Sequence, residues 1–183
     1  SKIAADQLAI SFFKSFQLPI SIIRPFNTYG PRQSLRAIIP TIITQFLDDK
    51  IEKVKVGNIN VTRDFNYISD TVSGFISTIK NEKIIGETIN IGNNYEISIK
   101  EILKIIRKQI NSNKEIIIDK PRVRAHNTEV KRLYSSNKKA KKILKWEPKF
   151  KNRDGIEKGI KIVIEWYKNP SNMNKFKTDI YNI

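Results

Sequence analysis

Ile22-Ile23-Arg24-Pro25-Phe26-Asn27-Thr28-Tyr29-Gly30-Pro31-Arg32-Gln33 is the stretch on which the reading of this chain turns. Ile20, Ile22 and Ile23 predict a short buried strand. Arg24-Pro25 ends it, because proline donates no ladder hydrogen bond and biases the residue before it away from helix. A turn-rich loop is expected from Phe26 to Ser34, around Asn27, Gly30 and Pro31. Just ahead, Leu8, Phe12 and Phe16 recur at helical spacing, which predicts a helix over 3–16 closed by Pro19. A helix, a short buried strand and a polar loop in succession are one unit of an open α/β sheet.

The pattern repeats downstream. A helix is expected over 38–48, with Pro40 in the first turn where its missing N–H costs nothing. Val54-Lys55-Val56 and Arg63 to Ile68 predict strands, and Ser69 or Asp70 caps a helix running to Lys80. Thr88 to Ile91 is a further short strand. Ser98 and Glu101 form a Ser-x-x-Glu capping box ahead of Ile102, Ile105, Ile106 and Ile110. Ile116 to Ile118 is a strand, 119–134 a basic loop, and helices follow over about 137–145 and 154–168, separated by Trp146-Glu147-Pro148. The remainder, 169–183, is expected to be a loose tail. The fold class is therefore α/β with a mainly parallel sheet and no internal repeat.

Composition narrows the function. The 183 residues suffice for one ordinary domain, and 39% hydrophobic with 28% charged residues fits a globular chain. No apolar run approaches the ~20 residues of a membrane helix, and the first residues do not form a signal peptide. The absence of an initiator Met suggests a start inside a longer protein. Without cysteine there is neither a disulfide framework nor a thiolate metal site, and His126 stands alone, so no metal is expected and a cytoplasmic location is. The net charge of +16 comes mostly from lysine spread along the whole sequence. That distribution reads as solvated faces, and no nucleic-acid motif accompanies it. A basic, non-catalytic binding module is the reading from another class, testable by steep salt dependence.

Ile23-Arg24-Pro25-Phe26-Asn27-Thr28-Tyr29-Gly30-Pro31 also resembles a strand-end motif, Arg-x-x-Asn-x-x-Gly-Pro, of the extended short-chain dehydrogenases/reductases acting on nucleotide sugars, the NAD-dependent epimerase/dehydratase family. Further similarities follow in order: Val56-Gly57-Asn58 with Arg63-Asp64-Phe65, Ile68-Ser69-Asp70, Thr88-Ile89-Asn90-Ile91-Gly92, Arg122 to Arg132, and Leu144-Lys145-Trp146-Glu147-Pro148. Ser1-Lys2 resembles the end of the family's Tyr-x-x-x-Lys helix start, which puts the tyrosine three residues upstream of Ser1. The loop after Arg24 is most similar to N-acetylhexosamine 4,6-dehydratases of legionaminic-acid-type pathways.

The resemblance implies the carboxyl-terminal part of a Rossmann-type doubly wound sheet plus a small substrate-binding subdomain. Residues 1–30 and 69–92 would be remnants of the Rossmann layer, and 31–68 and 93–168 mainly substrate-binding. It implies NAD, with NADP not excluded, and a UDP- or GDP-linked hexosamine as substrate. Lys2 is the implied catalytic lysine: one turn after the tyrosine, its ammonium stabilises the phenolate that removes the sugar C4 proton. Lys2, Pro25, Phe26 and Tyr29 are the implied cofactor contacts, the last two through backbone N–H or ring surface. Asn27, Arg36, Val54, Val56, Arg63, Asn90 and Arg124 are the implied substrate contacts, the arginines matching a diphosphate with their planar forks. Arg122 is an alternate register for Arg124, and Asp64 is expected to orient Arg63. The seven glycines form no dinucleotide-binding fingerprint. The chain alone is thus expected to be inactive and the intact enzyme to be a homodimer. A 4,6-dehydratase is the leading reading and a 4-epimerase of the same family the alternative.

Overall fold

The computed structural model describes residues 1–79, 81–123 and 128–176. Helix α1 (Lys2–Phe16) leads into strand β1 (Ile22–Pro25), and β2 (Asn27–Tyr29) follows one residue later. Next come α2 (Ile38–Leu47), β3 (Lys53–Val56), β4 (Thr62–Tyr67) and α3 (Ile68–Thr78). Strands β5 (Thr88–Ile91) and β6 (Glu96–Ser98), α4 (Ile99–Ile110), β7 (Glu115–Ile118), α5 (Asn152–Lys168) and α6 (Pro170–Met173) complete the order. Three small sheets result: β1 parallel to β5, β3 parallel to β7, and β4 between parallel β2 and antiparallel β6. No helix among the described residues is long and apolar enough to cross a membrane.

The main core lies between β2-β4-β6, β3 and helices α2, α4 and α5. Helix α4 starts where the Ser98–Glu101 capping box is formed, with Glu101 N–H donating to Ser98 Oγ at 3.2 Å and Ser98 N–H to Glu101 Oε2 at 3.3 Å. Its isoleucines at three- and four-residue spacing are buried, while the lysines between them face water. Helix α5 approaches the sheet at Gly159, where a Cβ would sit 2.2 Å from the Tyr29 hydroxyl oxygen. The side chain of Gln45 on α2 binds the outer edge of β3: its Oε1 accepts from Lys55 N–H at 2.8 Å and its Nε2 donates to Lys55 O at 3.1 Å.

A second, smaller core joins Ile84, Ile89 and Ile91 to Ala140, Leu144 and Trp146. Residues 140–146, expected with the substrate-binding part, therefore pack on the β1–β5 pair. The helix expected over 137–145 is present over 138–144, widening to a π-helical turn at Ala140–Leu144 and stopped by Lys145 at φ 54°. The wider turn lets Ala140, Leu144 and Trp146 all reach β5. Trp146 anchors to α3, donating its indole N–H to Ser73 Oγ at 2.8 Å.

Other departures have equally local causes. Residues 27–29, expected as loop, pair with 65–67 of β4 because Tyr29 can then bury its ring against Phe65 and Tyr67. Helix α3 begins at Ile68 without a side-chain cap; the buried Asp70 carboxylate accepts the Phe150 N–H at 2.9 Å instead. The expected end of that helix at Lys80 lies outside the described residues. After residue 128 the basic loop runs beside β4, with Leu133 N–H donating to Thr62 O at 3.1 Å. Within the described part of the tail, the Phe176 ring meets Trp166 and Tyr167.

Candidate functional site

The carboxyl ends of parallel strands are where open α/β sheets bind ligands, because chain crossings leave a crevice there. Here β2, β3 and β4 open onto one cleft of about 510 Å³. Asn27, Thr28 and Tyr29, Arg36 with the start of α2, and Val56-Gly57-Asn58 line it. Arg63 on β4 and Arg122 after β7 complete it, with Lys55 adding a fourth cation and Glu129 a carboxylate. Gly57 allows this closure: a Cβ there would lie 2.3 Å from the Arg122 carbonyl oxygen. Arg122 is held by Asp119, Nε to Oδ2 3.0 Å, and Arg63 donates to the Thr62 carbonyl at 2.8 Å.

A buried polar network lies behind Thr28. Thr28 and Thr71 hydroxyls lie 3.0 Å apart, and Asn66 Nδ2 donates to Thr71 Oγ1 at 2.8 Å. Asp64 points away from Arg63, as successive strand residues must. Its carboxylate accepts from Asn93 N–H at 2.8 Å and from both the N–H and the hydroxyl of Ser135. The expectation that Asp64 orients Arg63 is corrected accordingly: it ties the Gly92-Asn93 turn and the 135 segment to β4. Burial, with the neighbouring Tyr67 and Asp70, pushes the Tyr29 phenol far above its ordinary range, so it is no proton-transfer group.

Of the residues singled out in the sequence, Asn27, Arg36, Val56 and Arg63 line the cleft, as does Arg122, the alternate to Arg124. Tyr29 lines it too, but its ring is 2% exposed and packed in the core, so it has no ring surface to offer a nicotinamide. Phe26 has no free N–H, since that group donates to Ile91 O at 2.9 Å. Val54 is wholly buried on the core side of β3, and Asn90 sits opposite Arg24 on the β1–β5 pair, away from the cleft. Lys2 and Pro25 are also outside it. The Asp6 carboxylate pairs with Arg24 at 2.6 Å, which holds the first turns of α1 beside the carboxyl end of β1. Arg124 and His126 lie outside the described residues. Sequence reasoning missed Lys55, Asn58 and Glu129; Asn58 and Glu129 stood in recognised blocks, where the arginines drew the attention.

Short parallel strand pairs covered by helices, with a cationic cleft lined from β2, β3 and β4, make this an α/β protein with a candidate anion-binding site. The model of the GDP-mannose 4,6 dehydratase family matches residues 1–159. Human dTDP-D-glucose 4,6-dehydratase is 32% identical over 172 residues, which is 92% of this chain and 47% of that protein. UDP-glucuronate 4-epimerase of Thermodesulfobacterium geofontis is 31% identical, covering 92% and 49%. The crystal structure of UDP-glucuronic acid 4-epimerase from Bacillus cereus, in complex with UDP-glucuronic acid and NAD, superposes with TM-score 0.80 at 28% identity, over 91% of this chain and 51% of that one. That of dTDP-glucose 4,6-dehydratase from Bacillus anthracis, in complex with NAD, gives 0.79 at 27%, covering 91% and 50%. The chain belongs to the GDP-mannose 4,6 dehydratase family, among the NAD-dependent epimerases and dehydratases, and spans about half the length of the curated relatives it matches.

Proposed function

We propose that this chain is the substrate-binding and lysine-bearing part of a nucleotide-sugar 4,6-dehydratase that works with NAD or NADP. One observation carries the reading: a cleft of about 510 Å³ whose lining brings together Asn27, Arg36, Arg63 and Arg122. Its size suits a small organic ligand, and guanidinium forks match the oxygens of a diphosphate. The Asn27 carboxamide orients the sugar.

The residues around β1 fit a dinucleotide's nicotinamide end. The Arg24–Asp6 ion pair sets α1 against the strand end, and Lys2, one turn before Asp6, has no salt-bridge partner among the described residues. Pro25 and the half-buried Phe26 ring offer apolar surface beside it. When bound, the nicotinamide supplies the acceptor for the C4 hydride. Lys2 holds the phenolate form of the tyrosine expected one turn ahead, and that phenolate takes the C4 hydroxyl proton. Water is then lost in the dehydratase outcome. A 4-epimerase is the second reading, supported by an identity to UDP-glucuronate 4-epimerase of 31%, beside 32% to the human dehydratase.

Product analysis on the full-length enzyme with UDP- and GDP-hexosamines decides: a 4-keto-6-deoxy sugar supports the dehydratase, an epimer with no loss of water refutes it. The 183-residue chain alone turns over nothing in this reading; measurable turnover would count against it. The intact cytoplasmic enzyme is a homodimer, for which the exposed Leu8, Phe12 and Phe16 on α1 supply an apolar face. A clean monomer mass by light scattering would exclude that.

A further inference from the structure

We propose that Arg24 keeps the Lys2 ammonium available to the site by taking the carboxylate, Asp6, that would otherwise capture it. The inference rests on the reading of Lys2 above and deepens it, making Arg24 and Asp6 positioning residues of that site. Lys2 and Asp6 stand one turn apart on α1, so their side chains emerge on the same face. A lysine and an aspartate so placed ordinarily pair, and Asp6 is the only carboxylate on this helix. Lys2 is exposed and has no salt-bridge partner among the described residues. Asp6 is instead held by Arg24 at the end of β1, whose Nη2 and Nε lie 2.6 Å and 2.9 Å from its Oδ2.

A planar guanidinium wins such a contest, because it loses less conformational freedom per hydrogen bond than an ammonium on a flexible stem. The remaining charged groups around α1 do not compete. Glu87, which meets the helix at Ala9, Ile10 and Phe13, is paired with Lys139 at 2.6 Å, and Lys14 lies in the last turn. The chemical consequence concerns the tyrosine expected one turn ahead of Lys2. An ammonium shared with a carboxylate stabilises a neighbouring phenolate less, so the phenol's pKa rises and less of it is ionised at neutral pH. The Arg24–Asp6 pair thus does more than fasten α1 to β1: it withdraws a negative charge from the lysine that the phenolate needs.

Nuclear magnetic resonance of the 183-residue chain reads the Lys2 amine through the chemical shift of its Cε as pH is varied, with the signal assigned by its loss in Lys2→Arg. The amino terminus beside it is common to every variant compared. Arg24→Gln is expected to move the Lys2 titration midpoint up by about 0.2–0.4 pH unit, the strength of an exposed one-turn ion pair. Adding Asp6→Asn is expected to bring it back, and Arg24→Lys, which keeps a cation beside Asp6, to leave it near native. An unchanged Lys2 titration in Arg24→Gln would overturn the proposal, even with a lowered melting temperature, because the pair then only fastens the helix. A shift that persists once Asp6 is removed would overturn it too. In the full-length enzyme, the acid limb of the kcat profile is expected to move to higher pH in Arg24→Gln and to return in the double variant. Absence of nucleotide-sugar turnover by the native enzyme sinks the reading of Lys2, while the titration of the chain still decides which cation holds Asp6.

Discussion

Replacing Asp64 with alanine should destabilise this chain by several kcal/mol, about 3–5. The carboxylate is completely buried and accepts three hydrogen bonds, from the Asn93 N–H at 2.8 Å, the Ser135 N–H at 3.2 Å and the Ser135 hydroxyl. The two N–H groups cannot turn elsewhere, while the hydroxyl can rotate. Leaving a buried donor unpaired costs about 1–3 kcal/mol, so the loss sums to about 3–5 kcal/mol once the hydroxyl is partly re-satisfied. Urea unfolding, followed by tryptophan fluorescence and far-UV circular dichroism together, reads this out. With a urea slope of about 1–3 kcal/mol/M, the midpoint should fall by more than about 1 M at unchanged slope. Asp64→Asn keeps one oxygen acceptor and should lose about half as much, which preserves a measurable transition should the alanine variant fail to fold. A loss below about 1 kcal/mol in the alanine variant would refute the claim that this carboxylate organises the loops behind the cleft.

Gly159→Ala pushes a methyl against the Tyr29 hydroxyl oxygen, 2.2 Å from the new Cβ, and should cost about 1–3 kcal/mol by thermal melting; an unchanged melting temperature would mean that α5 can shift freely. Arg63→Ala should weaken nucleoside diphosphate binding about tenfold or more in calorimetry, with Arg63→Lys recovering only part, since an ammonium lacks the bidentate fork. Lys141 and Lys151 both hydrogen-bond the Glu147 carboxyl and pull its pKa from 4.5 down to about 2. A group depressed in the folded state stabilises above its unfolded pKa, and that contribution is lost as pH falls through the folded one. Glu147→Gln should therefore flatten the stability profile between pH 4.5 and about 2 and leave its shape at pH 7 unaltered, as judged by melts across that range.

Elements that carry their own periodicity were legible in the sequence. Helix α4 announces itself through the Ser98–Glu101 box and its isoleucines, and β1, β3 and β5 through short apolar runs, because those signals are local. Asn27 and Arg63, which line the cleft, stand in blocks that the sequence alone singles out, whereas Arg36 stands in none. What escaped depends on partners distant in sequence. Three residues at 27–29 are a strand only because 65–67 lie alongside, and residues 140–144 share their core with Ile89 and Ile91 of β5, about fifty positions earlier. Tyr29 could not be told from a ligand contact until its ring was seen against Phe65 and Tyr67. Glu129 entered the cleft only through Asn58, 71 positions away.

The Gln45 amide gives β3 a neighbour that is not a strand. By accepting from and donating to the Lys55 backbone, one side chain occupies the hydrogen-bonding groups that would otherwise stand open along the flank of the β3–β7 ribbon. Unsatisfied flanks of this kind recruit strands from other molecules and seed fibrous assemblies. A single carboxamide therefore acts as a guard for solubility, and exchanging it for leucine would leave the monomer folded but turn that flank adhesive.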